Sequence, residues 1–197
     1  KTFASQLFYH QSEFHDDHGY ENLRRFLDEL DHKFNTKGNR VFYLSTPPSV
    51  FSVCCKHLSE MNLITKSARV VVEKPLGYDA VSAEEINSQI AEYFDENCIF
   101  RIDHYLGKET VQNILGFRFH NTIFEPLWNR HHIELVQITV AESIGVEKGR
   151  AGFYDENGAR RDVVQNHMLQ LLALVAMEAP ATLAGNDIRN QKVEVLR

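Results

Sequence analysis

The sequence is poor in the residues that staple a chain, carry it through a bilayer or pull it onto polyanions. Only three of its 197 residues are cysteine, five are proline and ten are glycine. Cys54 and Cys55 are adjacent and Cys98 stands far from both, so neither a disulfide framework nor a CxxC metal pattern is available. They read as thiols of a reducing compartment, and a cytoplasmic location is expected. The longest apolar runs, such as Val70 to Val72 and Leu171 to Met177, fall far short of the roughly 18 to 20 residues that span a bilayer. A soluble protein without a membrane partner is therefore expected. Positive charge is scarce too: 21 Lys and Arg against 27 Asp and Glu give a net charge of −6. That balance argues against a nucleic-acid partner and leaves room only for a local basic pocket. The chain starts at Lys1 rather than Met, and Phe3 to Tyr9 resembles neither a signal sequence nor a transit peptide. An excerpt of a longer protein is the expectation.

What is present suffices for a core: 43% of residues are hydrophobic, including 13 Phe and 7 Tyr. Leu23, Phe26, Leu27, Leu30 and Phe34 recur at helical spacing and predict a helix over 20–34. A turn with Gly38 follows, then a short apolar run, Arg40 to Ser45, expected to be a buried strand. Thr46-Pro47-Pro48 breaks it, and Val50, Val53, Leu58 and Met61 resume helical spacing over 49–63. Ala68 to Glu73 predicts a second strand, stopped by Pro75 and Gly77. Ser82, with Glu85 three residues on, has the spacing of a capping box at the head of the next helix. Cys98 to Tyr105 predicts a third strand. Strands and helices thus alternate through short connections, as in right-handed βαβ units on a parallel sheet. After Gly107 the rhythm changes: a helical stretch over 111–119, an alternating run over 133–141, and a long helix over 158–178 that is apolar almost all round beyond Met168. A helix of that kind is expected to lie under a sheet. A second domain is expected to begin near Tyr105.

Three constellations carry chemistry. Glu73-Lys74-Pro75-Leu76-Gly77 ends a predicted parallel strand, where α/β sheets bind ligands, so Lys74 is either a ligand-binding cation or part of a simple loop breaker. Arg101-Ile102-Asp103-His104-Tyr105-Leu106-Gly107-Lys108-Glu109 crowds ionisable side chains where a strand gives way to a helix N-terminus, a set of donors suited to a phosphate. Asp162, Asn166 and Gln170 fall within about 80° of one another on an α-helical wheel, with His167 about 60° beyond Gln170. Left unpaired, such buried groups would cost roughly 1 to 3 kcal/mol each, so they face a hydrogen-bond network, water or a ligand. The histidines at 10, 15 and 18 and the pair His131-His132 fit no closed zinc spacing, and no metal is expected. Cys54 and Cys55 are expected to be buried.

The motifs RIDHYLGKE and DxxQNHxxQ, with the FYLxxPP strand and turn, closely resemble the glucose-6-phosphate dehydrogenase family over nearly the whole chain. The resemblance implies NADP-dependent oxidation of β-D-glucose 6-phosphate at C1 to 6-phosphogluconolactone, the entry step of the oxidative pentose phosphate pathway. It implies an α/β fold: the later part of a Rossmann-like doubly wound sheet over residues 1–104, then over 105–197 the start of an α+β substrate and dimerisation domain with a large antiparallel sheet. By the same resemblance His167 is the general base and Asp103 its dyad partner, while His104, Tyr105 and Lys108 bind the substrate phosphate. Lys74 reaches sugar and cofactor, with Pro75 expected in the cis form. Glu142 and Asp162 accept hydrogen bonds from sugar hydroxyls. Thr46, Pro47, Pro48 and Phe51 form the cofactor-side turn, and a homodimer or homotetramer is implied.

One departure stands out. Neither GxGxxG nor the family's GxxGDL-type phosphate loop occurs among the ten glycines. The segment is therefore expected to bind NADP weakly and to be inactive alone. Another nicotinamide-dependent sugar oxidoreductase, similar to the glucose-fructose oxidoreductase group at Glu-Lys-Pro, or a non-catalytic sugar-phosphate-binding fragment, remain the alternatives.

Overall fold

The computed structural model describes residues 3–141, Gly145 and residues 151–197. Two compact units divide between Ile102 and Asp103. Among the described residues no helix is long and apolar enough to cross a membrane.

The first unit is built on a three-stranded parallel sheet in the order β1 (Val41–Leu44), β2 (Arg69–Glu73), β3 (Ile99–Ile102). Val41 pairs with Arg69 and Val70 with Ile99. Helix α1 (Asp17–Phe34) precedes β1, α2 (Phe51–Glu60) joins β1 to β2, and α3 (Ala80–Ala91) joins β2 to β3. β2 alternates, with Val70 and Val72 fully buried and Arg69, Val71 and Glu73 turned the other way. The buried side packs with Phe51, Cys54, Cys55, Ile90 and Phe94 into one core, each fully buried aliphatic side chain contributing about 1.5 to 3 kcal/mol. Burial pushes the Cys55 thiol up to about 12, with the neighbouring Cys54 adding to it, so these buried cysteines are packing groups.

The opposite face differs from the expectation of fully buried strands. Val41, Tyr43 and Phe100 are about half exposed, because the helices joining the strands cover one face only. Alongside β1 the apolar stripe of α1, with Leu23, Leu27, Leu30 and Phe34, lines an apolar cavity of about 790 Å³.

Local signals set the helix ends. Asp16 caps α1, its carboxylate accepting the His18 N–H at 3.1 Å, and Asn35 closes it in the left-handed region at φ 54°. The capping box of α3 is Asp79 with Ser82, not Ser82 with Glu85: the Ser82 N–H donates to Asp79 at 2.8 Å and the Asp79 N–H donates to the Ser82 hydroxyl at 3.1 Å. Asp79 wins because its carboxylate accepts the helical N–H more strongly than a hydroxyl would. The third strand stops at Ile102, three residues short of the expected end, because the chain turns at once into a series of tight turns.

In the second unit α4 (Glu109–Phe119), α6 (Leu169–Ala176) and α7 (Gly185–Leu196) pack around Val111, Leu174 and Met177. Helix α5 (Ala151–Ala159) contains Gly158 at φ 66°. The expected long helix over 158–178 is instead a π-helix, Arg160–Met168, running into α6. The alternating run Ile133–Ala141 carries no regular structure, and no strand occurs among the described residues of this unit. A strand is stable only with a hydrogen-bonding neighbour, so alternation by itself does not create one. Among the described residues helix α6 packs against α4 and α7.

Arg40, at the head of β1, is 8% exposed; it donates to Asp31 at 2.6 and 3.1 Å, to Asp28 at 2.6 Å and to the Leu63 carbonyl at 3.3 Å. Burial alone would raise the Asp31 pKa, but hydrogen bonds from Thr36 and Arg40 outweigh it and hold the carboxyl below its usual range. Arg40→Met is expected to lower unfolding stability by about 1 to 3 kcal/mol in urea titrations. A depressed carboxyl stabilises the fold above its unfolded pKa and loses that contribution as pH falls through its folded value. The gap between protein and variant should therefore be full above about pH 4 and shrink below it.

Candidate functional site

Parallel strands send their following loops out at one edge. In the first unit β1 runs into Thr46-Pro47-Pro48 and β2 into Lys74-Pro75, and the pairing of Leu44 with Val72 brings both loops to the carboxyl edge of the sheet. Pro48 opens a 3-10 turn, Pro48–Val50, that leads into α2. The Lys74-Pro75 bond is cis. Gly77 follows at φ 90°, and a Cβ there would lie 2.5 Å from the Ala83 backbone nitrogen, so only glycine lets this loop close against α3. The Thr46 hydroxyl oxygen is buried and has no hydrogen-bond partner among the described residues. Phe51 is not at the surface of this turn: its ring is 1% exposed and sits in the core, where burying an aromatic contributes more than a turn contact could.

In the second unit the turn after β3 and the π-helix bring titratable groups together. The Asp103 carboxylate accepts the Tyr105 N–H at 3.0 Å, and the Leu106, Gly107 and Lys108 N–H groups donate to the carbonyls three residues earlier, delivering the chain to α4. Asp103 lies 2.7 Å from Nδ1 of His167, and both residues are buried. An ionised carboxylate only accepts hydrogen bonds, so Nδ1 carries the proton toward Asp103 and Nε2 is left as the basic nitrogen. The Tyr105 ring stacks on His167 at 4.1 Å and 13°, and His104 meets the same imidazole edge-on at 4.6 Å. The Lys108 ammonium lies 3.6 Å from the centre of the Tyr105 ring. A desolvated base with a fixed tautomer thus sits beside an exposed imidazole and an ammonium, an arrangement able to take a proton next to an anionic group.

The π-helix alters the predicted stripe. The Leu169 N–H donates to the Val164 carbonyl, five residues back, and an i→i+5 ladder stacks residues five apart. On an α-helical wheel Asp162 and His167 would point about 140° apart; in the π form they share a side. Asp162 and Asn166 are half-buried and His167 is buried.

The dyad, His104, Tyr105, Lys108 and Asp162 therefore belong to one unit, while Lys74, Thr46, Pro47, Pro48 and Phe51 belong to the other. Glu142 lies outside the described residues.

Two supporting residues escaped the sequence reading. Arg118 is 5% exposed and donates to the carbonyls of Leu174 and Met177, both at 2.7 Å, and the Trp128 indole donates to the Val175 carbonyl at 2.8 Å. Together they satisfy the Leu174 and Val175 carbonyls that the end of α6 leaves open and the Met177 carbonyl just beyond it. Burial holds the Arg118 pKa below its usual range, with Glu178 opposing the shift. The available signal was its position: seven residues after Val111, Arg118 falls within about 20° of it on the buried face of α4.

A family model described as glucose-6-phosphate dehydrogenase, NAD binding domain, matches residues 1–113, and its C-terminal-domain counterpart matches residues 115–197. A glucose-6-phosphate 1-dehydrogenase of Chlamydia pneumoniae is 47% identical over 204 residues, covering 100% of this chain and 40% of the relative. One from Aggregatibacter actinomycetemcomitans is 50% identical over 199 residues, with coverage of 100% and 40%. The chain thus spans about 40% of the length of these relatives. Among solved structures, a glucose-6-phosphate dehydrogenase in complex with its substrate glucose-6-phosphate superposes with a TM-score of 0.85 at 44% identity, covering 95% of this chain and 39% of that one. The enzyme from Mycobacterium avium superposes with a TM-score of 0.84 at 40% identity, covering 98% and 40%.

Removing the Arg118 guanidinium strands two buried carbonyls at the end of the helix that carries His167. Arg118→Leu is expected to destabilise the protein by on the order of 3 kcal/mol in denaturant titrations, and Arg118→Lys, which cannot span both carbonyls, by an intermediate amount.

Proposed function

The chain belongs to the glucose-6-phosphate dehydrogenase family, and on that premise we propose that it supplies the catalytic middle of an NADP-dependent enzyme oxidising β-D-glucose 6-phosphate at C1 to 6-phospho-D-glucono-1,5-lactone. Residues 1–104 would be the later part of the cofactor-binding domain and residues 105–197 the start of the substrate and dimerisation domain. The observation that carries this reading is the buried 2.7 Å contact between Asp103 and His167, placed among His104, Tyr105 and Lys108.

The roles follow from the family resemblance, and that geometry supports them. His167 accepts the proton of the sugar's C1 hydroxyl on Nε2 as C1 is oxidised. Asp103, itself oriented by the Tyr105 N–H, keeps the Nδ1 proton in place and stabilises the imidazolium that forms. Lys108 and His104 offer the charge and the hydrogen bonds that an anionic phosphate requires. Tyr105 holds the His167 ring by stacking and completes the phosphate pocket. Asp162, which shares a side of the π-helix with His167, accepts from sugar hydroxyls, and Glu142 is assigned the same task.

The carboxyl edge of the first unit's sheet fits a nicotinamide nucleotide. Thr46 offers a buried hydroxyl without a partner among the described residues, and Lys74 supplies a cation from the next strand end. Thr46, Pro47, Pro48 and Lys74 would hold it, with Phe51 supporting the turn from the core. When bound, NADP supplies the acceptor for the hydride leaving C1. A cytoplasmic homodimer or homotetramer completes the proposal.

In the full-length protein His167→Ala and Asp103→Asn should each lower the rate of NADPH formation by roughly 10² to 10⁴-fold. Rates within a factor of a few of the parent would refute the assignment of the dyad. Glucose in place of glucose 6-phosphate should be turned over far more slowly, and Lys108→Ala should narrow that difference. Equal turnover of the two sugars would favour a dehydrogenase that does not read phosphate.

A further inference from the structure

Asp103, His104 and His167 do more than neighbour one another. A carboxylate oxygen of the first and one ring nitrogen of each histidine all lie within 4.8 Å of one another, the one place among the described residues where three such donors converge. We propose that these three side chains form a binding site for a divalent transition ion of the zinc and cobalt type, whose occupancy removes the base and switches the dehydrogenase off. The inhibitory part rests on the function proposed above; the site itself rests only on the three donors.

Two imidazoles and one carboxylate are a donor set suited to Zn²⁺ or Co²⁺ and poorly suited to Mg²⁺ or Ca²⁺, which prefer oxygen. Bonds of about 2.0 to 2.2 Å place the donors of a tetrahedral ion about 3.4 Å apart. Asp103 and His167 stand at 2.7 Å and must open slightly as the ion replaces the proton between them. The proton formerly on Nδ1 of His167 moves to Nε2, the nitrogen assigned to accept the sugar proton. His104 is exposed, and its ring can swing inward without disturbing the core. The outer side of the ion would stay open to water, as in a three-ligand site.

The surroundings select further. The Lys108 ammonium, poised over the Tyr105 ring that stacks on His167, places a positive charge close by. That charge disfavours any cation lacking strong bonds to nitrogen, so weakly coordinating ions are rejected. His104 is claimed by both the ion and the sugar phosphate, which makes the two ligands mutually exclusive.

The test is a titration of CoCl₂ into metal-free full-length protein, read by the visible absorption of the cobalt ion and, in parallel, by NADPH formation. The expected result is one Co²⁺ per chain, displaced by ZnCl₂ and weakened by glucose 6-phosphate. His104→Gln should weaken binding by about 10- to 100-fold, while His131→Gln, in an exposed turn and not one of the three donors, should leave it unchanged. NADPH formation should fall as the site fills and return with EDTA. His104→Ala provides a second variant at the same exposed position should the first fold poorly. Cobalt binding that is unchanged in both His104 variants would overturn the site, and stoichiometric binding without loss of turnover would overturn the inhibition. If the metal-free protein forms no NADPH from glucose 6-phosphate, the dehydrogenase reading falls, and the absorption titration still decides the site.

Discussion

A carboxylate buried against an imidazole sets the terms for the second unit. Removing an ionised Asp103 from water costs several kcal/mol unless its lone pairs are filled, and the Tyr105 N–H and His167 Nδ1 fill them. Each donor binds the site to an element. The Tyr105 N–H belongs to the run of tight turns that ends β3 and starts α4, and His167 belongs to the π-helix. The contact spans 64 residues of sequence, so it holds only if both elements are fixed independently. Arg118 and Trp128 provide part of that fixation by binding the carbonyls at the far end of α6. Packing around Val111, Leu174 and Met177 provides the rest.

The β-α-β rhythm of the first unit was legible because each strand is a short β-branched or aromatic run bounded by proline or glycine, and each helix keeps its 3.6-residue stripe. What escaped the sequence was which face each strand buries. Val41, Tyr43 and Phe100 look like core residues by composition, but α2 and α3 pack on the other side. The capping box was misplaced by three residues for a related reason. Ser82 and Asp79 are both capping residues, and only the backbone angles, with Asp79 extended at φ −148° and Ala80 opening the helix, decide between them.

The site was legible in its members and not in their arrangement. Asp103, His104, Tyr105 and Lys108 stand next to one another in sequence, and a helix entrance has to present such groups somewhere. The pairing of Asp103 with His167 entered through the family resemblance, since no spacing rule links positions 64 apart. Arg118 carried a signal of its own, a cation on the apolar face of α4, but its partners are carbonyls, and a sequence does not reveal which helix end will come to it.

The π-helix reconciles a sequence that makes conflicting demands. His167 must be buried to meet Asp103, while Leu171, Leu174 and Met177, a few residues later, must pack against α4. On an uninterrupted α-helix Asp162 would point well away from His167. The i→i+5 bond from Leu169 to Val164 takes up one extra residue per turn. Asp162 comes round to the side of His167, and the apolar residues beyond Met168 keep their register on α4. A π segment has poorer backbone geometry than an α-helix and persists where surrounding contacts compensate for it. Here those contacts are the Asp103 to His167 pair at the carboxyl end of the π segment and the carbonyls held by Arg118 and Trp128 beyond it in and after α6. Both lie on the carboxyl side of the bend, so His167 and the start of α6 are fixed together while the polar row upstream follows the π register.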